Sequence, residues 1–205
     1  MIRVLVAGLV GGMVYYVWLV MTWMVLPVHD DSMQQLPGED QFRAMVVDQE
    51  VETGVYFVPF GSPEEIGDPE SGFYEKHQEG PLFTLMVQRD GFEPMRPQIF
   101  VTGFALDVAA SLIASALLWG AAGGCCRSYF ARVGFVLGLG LFASIVSHGA
   151  MWNWMLVPTA HTLSMAFEVA VGWLLVGLVI AGIVVPPKSV VKIEDKTAEE
   201  ASAQT

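Results

Sequence analysis

Two acids stand alone in long apolar stretches of the sequence, Asp107 and Glu168. An ionisable side chain inside a hydrophobic helix is expensive and turns inward, toward protein or water. Polar residues recur around both at helical spacing. Ser111 follows Asp107 by one turn, and Ser164 and His161 precede Glu168 on its own helical face. Ser144 and His148, four apart, form a similar pair on another apolar stretch, while His29 ends the first such stretch. Imidazole with carboxylate can hold a divalent metal or move protons. Two histidines on facing helices can also ligate a b-type haem. Asp107, Ser111, Ser144, His148, His161, Ser164 and Glu168 therefore form a candidate intramembrane polar cluster, with His29 as a rim member. The competing reading is structural, with these groups hydrogen-bonding across helices to fix their packing. No H-E-x-x-H, C-x-x-C-H, phosphate-loop or nucleophile-elbow pattern occurs, so no catalytic residue, cofactor or metal is assigned.

The elements that would position these groups are four apolar runs. A membrane-spanning helix needs about 20 mostly apolar residues. The runs extend from Val4 to Val28, Gln98 to Gly120, Val133 to Trp154, and Thr159 to Val185, with Pro186-Pro187 as a stop. The first is too long for a signal-peptide core and lacks a small-residue cleavage site, so it reads as a retained span. Counting about 1.5 Å per residue, Asp107 and Glu168 lie roughly 13–15 Å below the same membrane surface, a depth at which they can meet at one level. Gly8 and Gly12, and Gly134 and Gly138, carry the four-residue spacing that lets helices approach closely, within the bundle or against another subunit. Gly172, Gly177 and Gly182 recur every five residues, a spacing that drifts around a helix.

Charge orients the chain. Arg3, Arg127, Arg132, Lys188, Lys192 and Lys196 flank the spans on one side, which the positive-inside rule makes cytoplasmic. Both termini are then cytoplasmic and residues 29–97 extracytoplasmic. The stretch from Pro27 to Pro97 holds fifteen acids against four bases, a net charge of −11 equal to that of the whole chain. Such a surface repels nucleic acid and suits a cationic partner, or simply solubility. Cys125 and Cys126 are adjacent, a geometry that disfavours a disulfide between them, and residues 29–97 contain no cysteine.

Within residues 29–97, Leu36-Pro37-Gly38-Glu39-Asp40 reads as a helix start, followed by an amphipathic run through Gln49. Gly54 to Phe60 and Leu82 to Val87 read as strands, with a loop from Gly61 to Gly80 between them. The fold class is thus an all-α membrane protein: four transmembrane helices with a small α/β extracytoplasmic cap between the first two. Its parts are residues 1–28 (first span), 29–97 (acidic cap), 98–187 (three further spans) and 188–205 (a polar, disordered cytoplasmic tail). The cap carries too little apolar sequence for an independent core and should lean on the spans.

The segments WMVLPVH (Trp23 to His29), LPGED, GVYFVP and Gly80-Pro81, followed by a membrane bundle, resemble a group of bacterial inner-membrane proteins of unknown function. That resemblance covers most of the chain. It implies residence in the bacterial cytoplasmic membrane and brings no activity with it. Two classes of function follow. One is a non-enzymatic accessory or assembly subunit whose acidic cap meets a membrane protein partner, or that forms a homo-oligomer in the lipid bilayer. The other is a small transporter or membrane enzyme using the Asp/Glu/His cluster for protons or metal.

Overall fold

The computed structural model describes residues 1–185 and is mostly helical. The expected stop at Pro186-Pro187, the three lysines and the polar tail lie outside the described residues. Four helical segments are long and apolar enough to cross a membrane. They are α1 (Ile2–Met24), α5 (Pro97–Ala121), the composite third span Tyr129–Trp154, and α8 (Thr159–Ile183). The shortest has 23 residues, about 34 Å at 1.5 Å per residue, enough for a hydrocarbon core of about 30 Å. Only 22% of the apolar window of α1 and 39% of that of α8 is buried inside the chain. The remaining surface is apolar, as lipid contact requires.

The third span is not one regular helix. It comprises α6 (Tyr129–Ser144), a π-helical turn (Ile145–Gly149) and α7 (Ala150–Trp154). A π turn widens the helix locally, and such turns recur at functional sites. Here it carries His148.

The helices pack in a row. α1 lies between α5 and α8, α6 packs on the other side of α8, and α5 touches α6 only slightly. Small residues set these distances. A Cβ on Gly12 would stand 2.5 Å from Val108 Cα, and one on Gly8 would strike Leu112, so α1 and α5 meet backbone to backbone. A Cβ on Gly134 or Gly138, expected to pack helices, would meet nothing within 4 Å among the described residues beyond its own helix; Gly140, which abuts Trp173, and Gly177, which abuts Val133 and Val136, take that role between α6 and α8. The apolar core gathers Ala7, Leu118, Cys126, Val136, Val176, Ile180 and Val184.

Beside it, at the end of the bundle where the described chain starts and finishes, Arg3 donates to Val185 O at 3.2 Å. Arg132, read from sequence only as a flanking charge, is buried there. It donates to Ala181 O (2.9 Å), Arg127 O (2.6 Å) and Cys126 O (3.4 Å). Ala181 lies in the last turn of α8, whose carbonyls have no partner in their own helix, so the guanidinium satisfies groups that would otherwise be orphaned.

Between α1 and α5 the chain forms a 3-10 turn (Asp30–Ser32), α2 (Glu39–Asp48), strand β1 (Gly54–Val58), α3 (Pro63–Gly67), α4 (Gly72–Glu79) and strand β2 (Phe83–Val87). β1 and β2 pair antiparallel, Gly54 opposite Val87 and Val58 opposite Phe83. The predicted helix and both strands are present. The predicted loop from Gly61 to Gly80 is instead two short helices. Their signal was in the sequence: Ser62-Pro63-Glu64-Glu65 is a capping box. Ser62 Oγ accepts from Glu65 N, and Glu65 Oε2 accepts from Ser62 N at 2.9 Å. The Glu64 carboxyl, at the same helix start, is held below its ordinary range by backbone hydrogen bonding first and by Ser62 second. From residue 30 to residue 97 only Gly61 is buried, so this segment has no core of its own.

Candidate functional site

α1 ends at Met24, four residues earlier than the apolar run suggests, because the chain turns back at Leu26 and Pro27. The return carries His29 into the bundle. His29 is 4% exposed and Glu168 3%, and His29 Nε2 lies 2.8 Å from Glu168 Oε2. Thr22, on the last turns of α1, donates to the same oxygen at 2.6 Å. Both are short hydrogen-bond distances, and Oε2 is shared between Thr22 and His29. His29 Nδ1 is buried without a hydrogen-bond partner among the described residues.

Aromatic rings close the site. Trp23 stacks on the imidazole, centroids 4.2 Å apart and planes 28° from parallel. Trp18 donates its indole N–H to the backbone carbonyl of Glu168 at 2.9 Å. That bond depends on Gly172, where a Cβ would stand 2.5 Å from the Tyr15 ring and 2.7 Å from Trp18. Trp18 and Thr22 are one turn apart on α1, so the two donors reach α8 from one face.

Beyond His29 the chain runs up beside α8. Ser32 Oγ lies 3.3 Å from His161 Nδ1, and His161 is seven residues nearer the helix start than Glu168. The pair His29–Glu168 and the pair Ser32–His161 thus form a ladder that fastens the root of the inter-span segment to α8.

The other polar candidates lie elsewhere. Asp107 does not meet Glu168, because α1 stands between α5 and α8; Tyr15 of α1 lies within electrostatic reach of both carboxylates. Below Asp107, Ser111 and Ser115 continue the same face of α5, and Asp107 Oδ2, Ser111 Oγ and Ser115 Oγ are all buried without a hydrogen-bond partner among the described residues. Ser111 faces α1 where Gly11 makes room for it. Ser164 bonds back to Ala160 O of its own helix at 3.1 Å. Ser144 is buried on α6, and His148 is half-buried in the π turn with no hydrogen bond to a described residue.

Of the eight polar candidates read from sequence, the structure brings together only His29 and Glu168, with His161 one rung above. His29, expected at the rim, is central. Thr22, Trp18, Trp23, Tyr15, Ser32 and Ser115 were missed. Among the described residues no three His, Cys, Asp or Glu side chains converge as a metal ion would require. No protein-family model, curated protein or solved structure matches the chain.

Proposed function

We propose that this multi-pass protein is an accessory or assembly subunit of the bacterial cytoplasmic membrane, with both termini cytoplasmic and residues 29–97 outside. The observation that carries the reading is the seclusion of His29–Glu168. Their side chains are 5% and 3% exposed and roofed by Trp23, so neither is open to a substrate. The pair holds the root of a segment that, beyond His29, buries only Gly61, and the stretch from Pro27 to Pro97 carries fifteen acids against four bases. A coreless acidic segment fixed to the membrane at its root suits a partner with a cationic face. Gly134 and Gly138, open within this chain, support close approach of a further helix, from that partner or from a second copy. The test is purification from the native membrane into nanodiscs without detergent extraction. A stoichiometric protein partner, lost together with thermal stability in Glu168→Gln, is expected. A lone chain whose Glu168→Gln variant stays stable yet loses its cellular phenotype would overturn the reading.

A second reading, a small transporter or membrane enzyme that handles protons, draws on the unpartnered column of Asp107, Ser111 and Ser115. Successive members rise by about 6 Å along the helix, a gap that one bridging water spans. Asp107→Asn separates the readings. Loss of function with an intact fold favours the column as machinery; loss of both together favours packing.

A further inference from the structure

A cavity of about 690 Å³ lies between the inter-span segment and the turn joining α7 to α8. One wall includes Phe57, Phe60 and Met86 from the two-stranded sheet and its border; the other includes Met151, Met155 and Leu156. Of the side chains lining it, only His77, Thr84 and Trp154 carry N–H or O–H groups. Such a lining has few groups to orient a water-soluble ligand, whereas its volume falls in the range of about 300–1,000 Å³ typical of small-molecule sites. Phe60 and Met86 are 75% and 65% exposed, an arrangement that leaves apolar surface wet unless something fills the space. Leu156 adopts a left-handed φ of 56°, an uncommon backbone state for a bulky side chain.

Two facts identify the occupant. The floor, Met151 to Pro158, joins the ends of two spans, so the cavity sits where the bilayer surface begins. The roof belongs to the segment that carries the chain's net −11, which repels an anionic headgroup. We propose that the cavity is a binding site for the acyl chain of a neutral or zwitterionic membrane lipid. The chain bends out of the bilayer to lie between the sheet and the α7–α8 turn. Methionines at Met86, Met151 and Met155 suit a flexible chain of variable length, because the thioether side chain adapts its shape. The proposal is independent of the role given to His29 and Glu168.

The test is photolabelling of the full chain in phosphatidylcholine nanodiscs, with a trace of phosphatidylcholine carrying a diazirine at the chain end. In an ordinary bilayer lipid that end lies near the midplane, away from this cavity. Adducts on both walls, at Phe57–Met86 and at Met151–Leu156, are expected. Thr84→Trp and Met86→Glu should lower labelling at both walls by roughly tenfold, the effect of excluding about two methylenes. The lipid-facing residues Leu141 and Phe142 serve as the internal control and should keep their labelling, and the unfolding midpoint should stay unchanged. Labelling confined to the spans outside Met151–Trp154, wall labelling indifferent to both variants, or a crosslink by a bifunctional reagent from the cavity wall to a second copy would each overturn the proposal. Equal or stronger wall labelling by a phosphatidylglycerol probe would overturn the headgroup assignment.

Discussion

Replacing His29 by Phe and Glu168 by Met, singly and together, isolates the central contact. Phe keeps the ring that stacks on Trp23 at 4.2 Å and deletes both nitrogens. Met keeps the length of Glu168 and deletes its charge. His29→Phe leaves a carboxyl group 3% exposed with Thr22 as its one remaining side-chain donor among the described residues. Breaking a buried pair in this way costs about 3–5 kcal/mol. Glu168→Met leaves His29 Nε2 buried without this partner, which costs about 1–3 kcal/mol. Thr22 suffers less, because its hydroxyl already reaches Leu19 O at 3.0 Å. The double variant removes both polar groups and should recover most of the loss. Hydrogen bonds between helices in lipid average only about 0.6 kcal/mol in such cycles. The shared oxygen and near-complete burial place this pair above that average, and a coupling of at least about 2 kcal/mol, more than half of the smallest sum of the two single losses, is expected. The assay is equilibrium unfolding in mixed micelles of rising dodecyl sulfate fraction, followed by tryptophan fluorescence. Single effects that add to within about 0.5 kcal/mol would refute direct coupling.

Gly12→Leu should destabilise by at least about 1–3 kcal/mol through overpacking against Val108, whereas Gly182→Ala, with nothing within 4 Å, should not; paired unfolding curves decide this. Gly134→Leu should leave the isolated chain's stability unchanged, and a loss of self- or partner association in crosslinking would show that another helix uses that face. Arg132→Lys should lower the melting temperature although charge is kept, because an ammonium lacks the planar fork that serves Ala181, Arg127 and Cys126 carbonyls at once. Burial first, and the neighbouring Cys125 second, push the Cys126 thiol up to about 11, so at pH 8 a soluble maleimide should modify exposed Cys125 and spare Cys126 until the protein unfolds. Equal alkylation rates for the two thiols would contradict the buried position of Cys126.

The sequence by itself determined the four membrane-length helices, because an apolar run of some 20 residues is a local property that lipid reads directly. It also determined the helix at Glu39 and the two strands, where turn residues and alternation act over a few neighbours. The two helices within Gly61–Gly80 were equally local, and the capping box at Ser62 marks the first; the abundance of Gly, Pro and Ser concealed them. Which helices touch was a tertiary decision. Glycines at a four-residue spacing occur on both α1 and α6, and only those on α1 meet a neighbour in this chain, since spacing does not say which face is covered. Depth along the membrane allowed Asp107 to meet Glu168, but depth is one coordinate, and α1 occupies the space between them. His29 was assigned to the rim for the same reason. Its distance along the chain placed it beyond the helix, while the turn at Leu26-Pro27 and the waiting carboxylate of Glu168, 139 residues away, drew it inside.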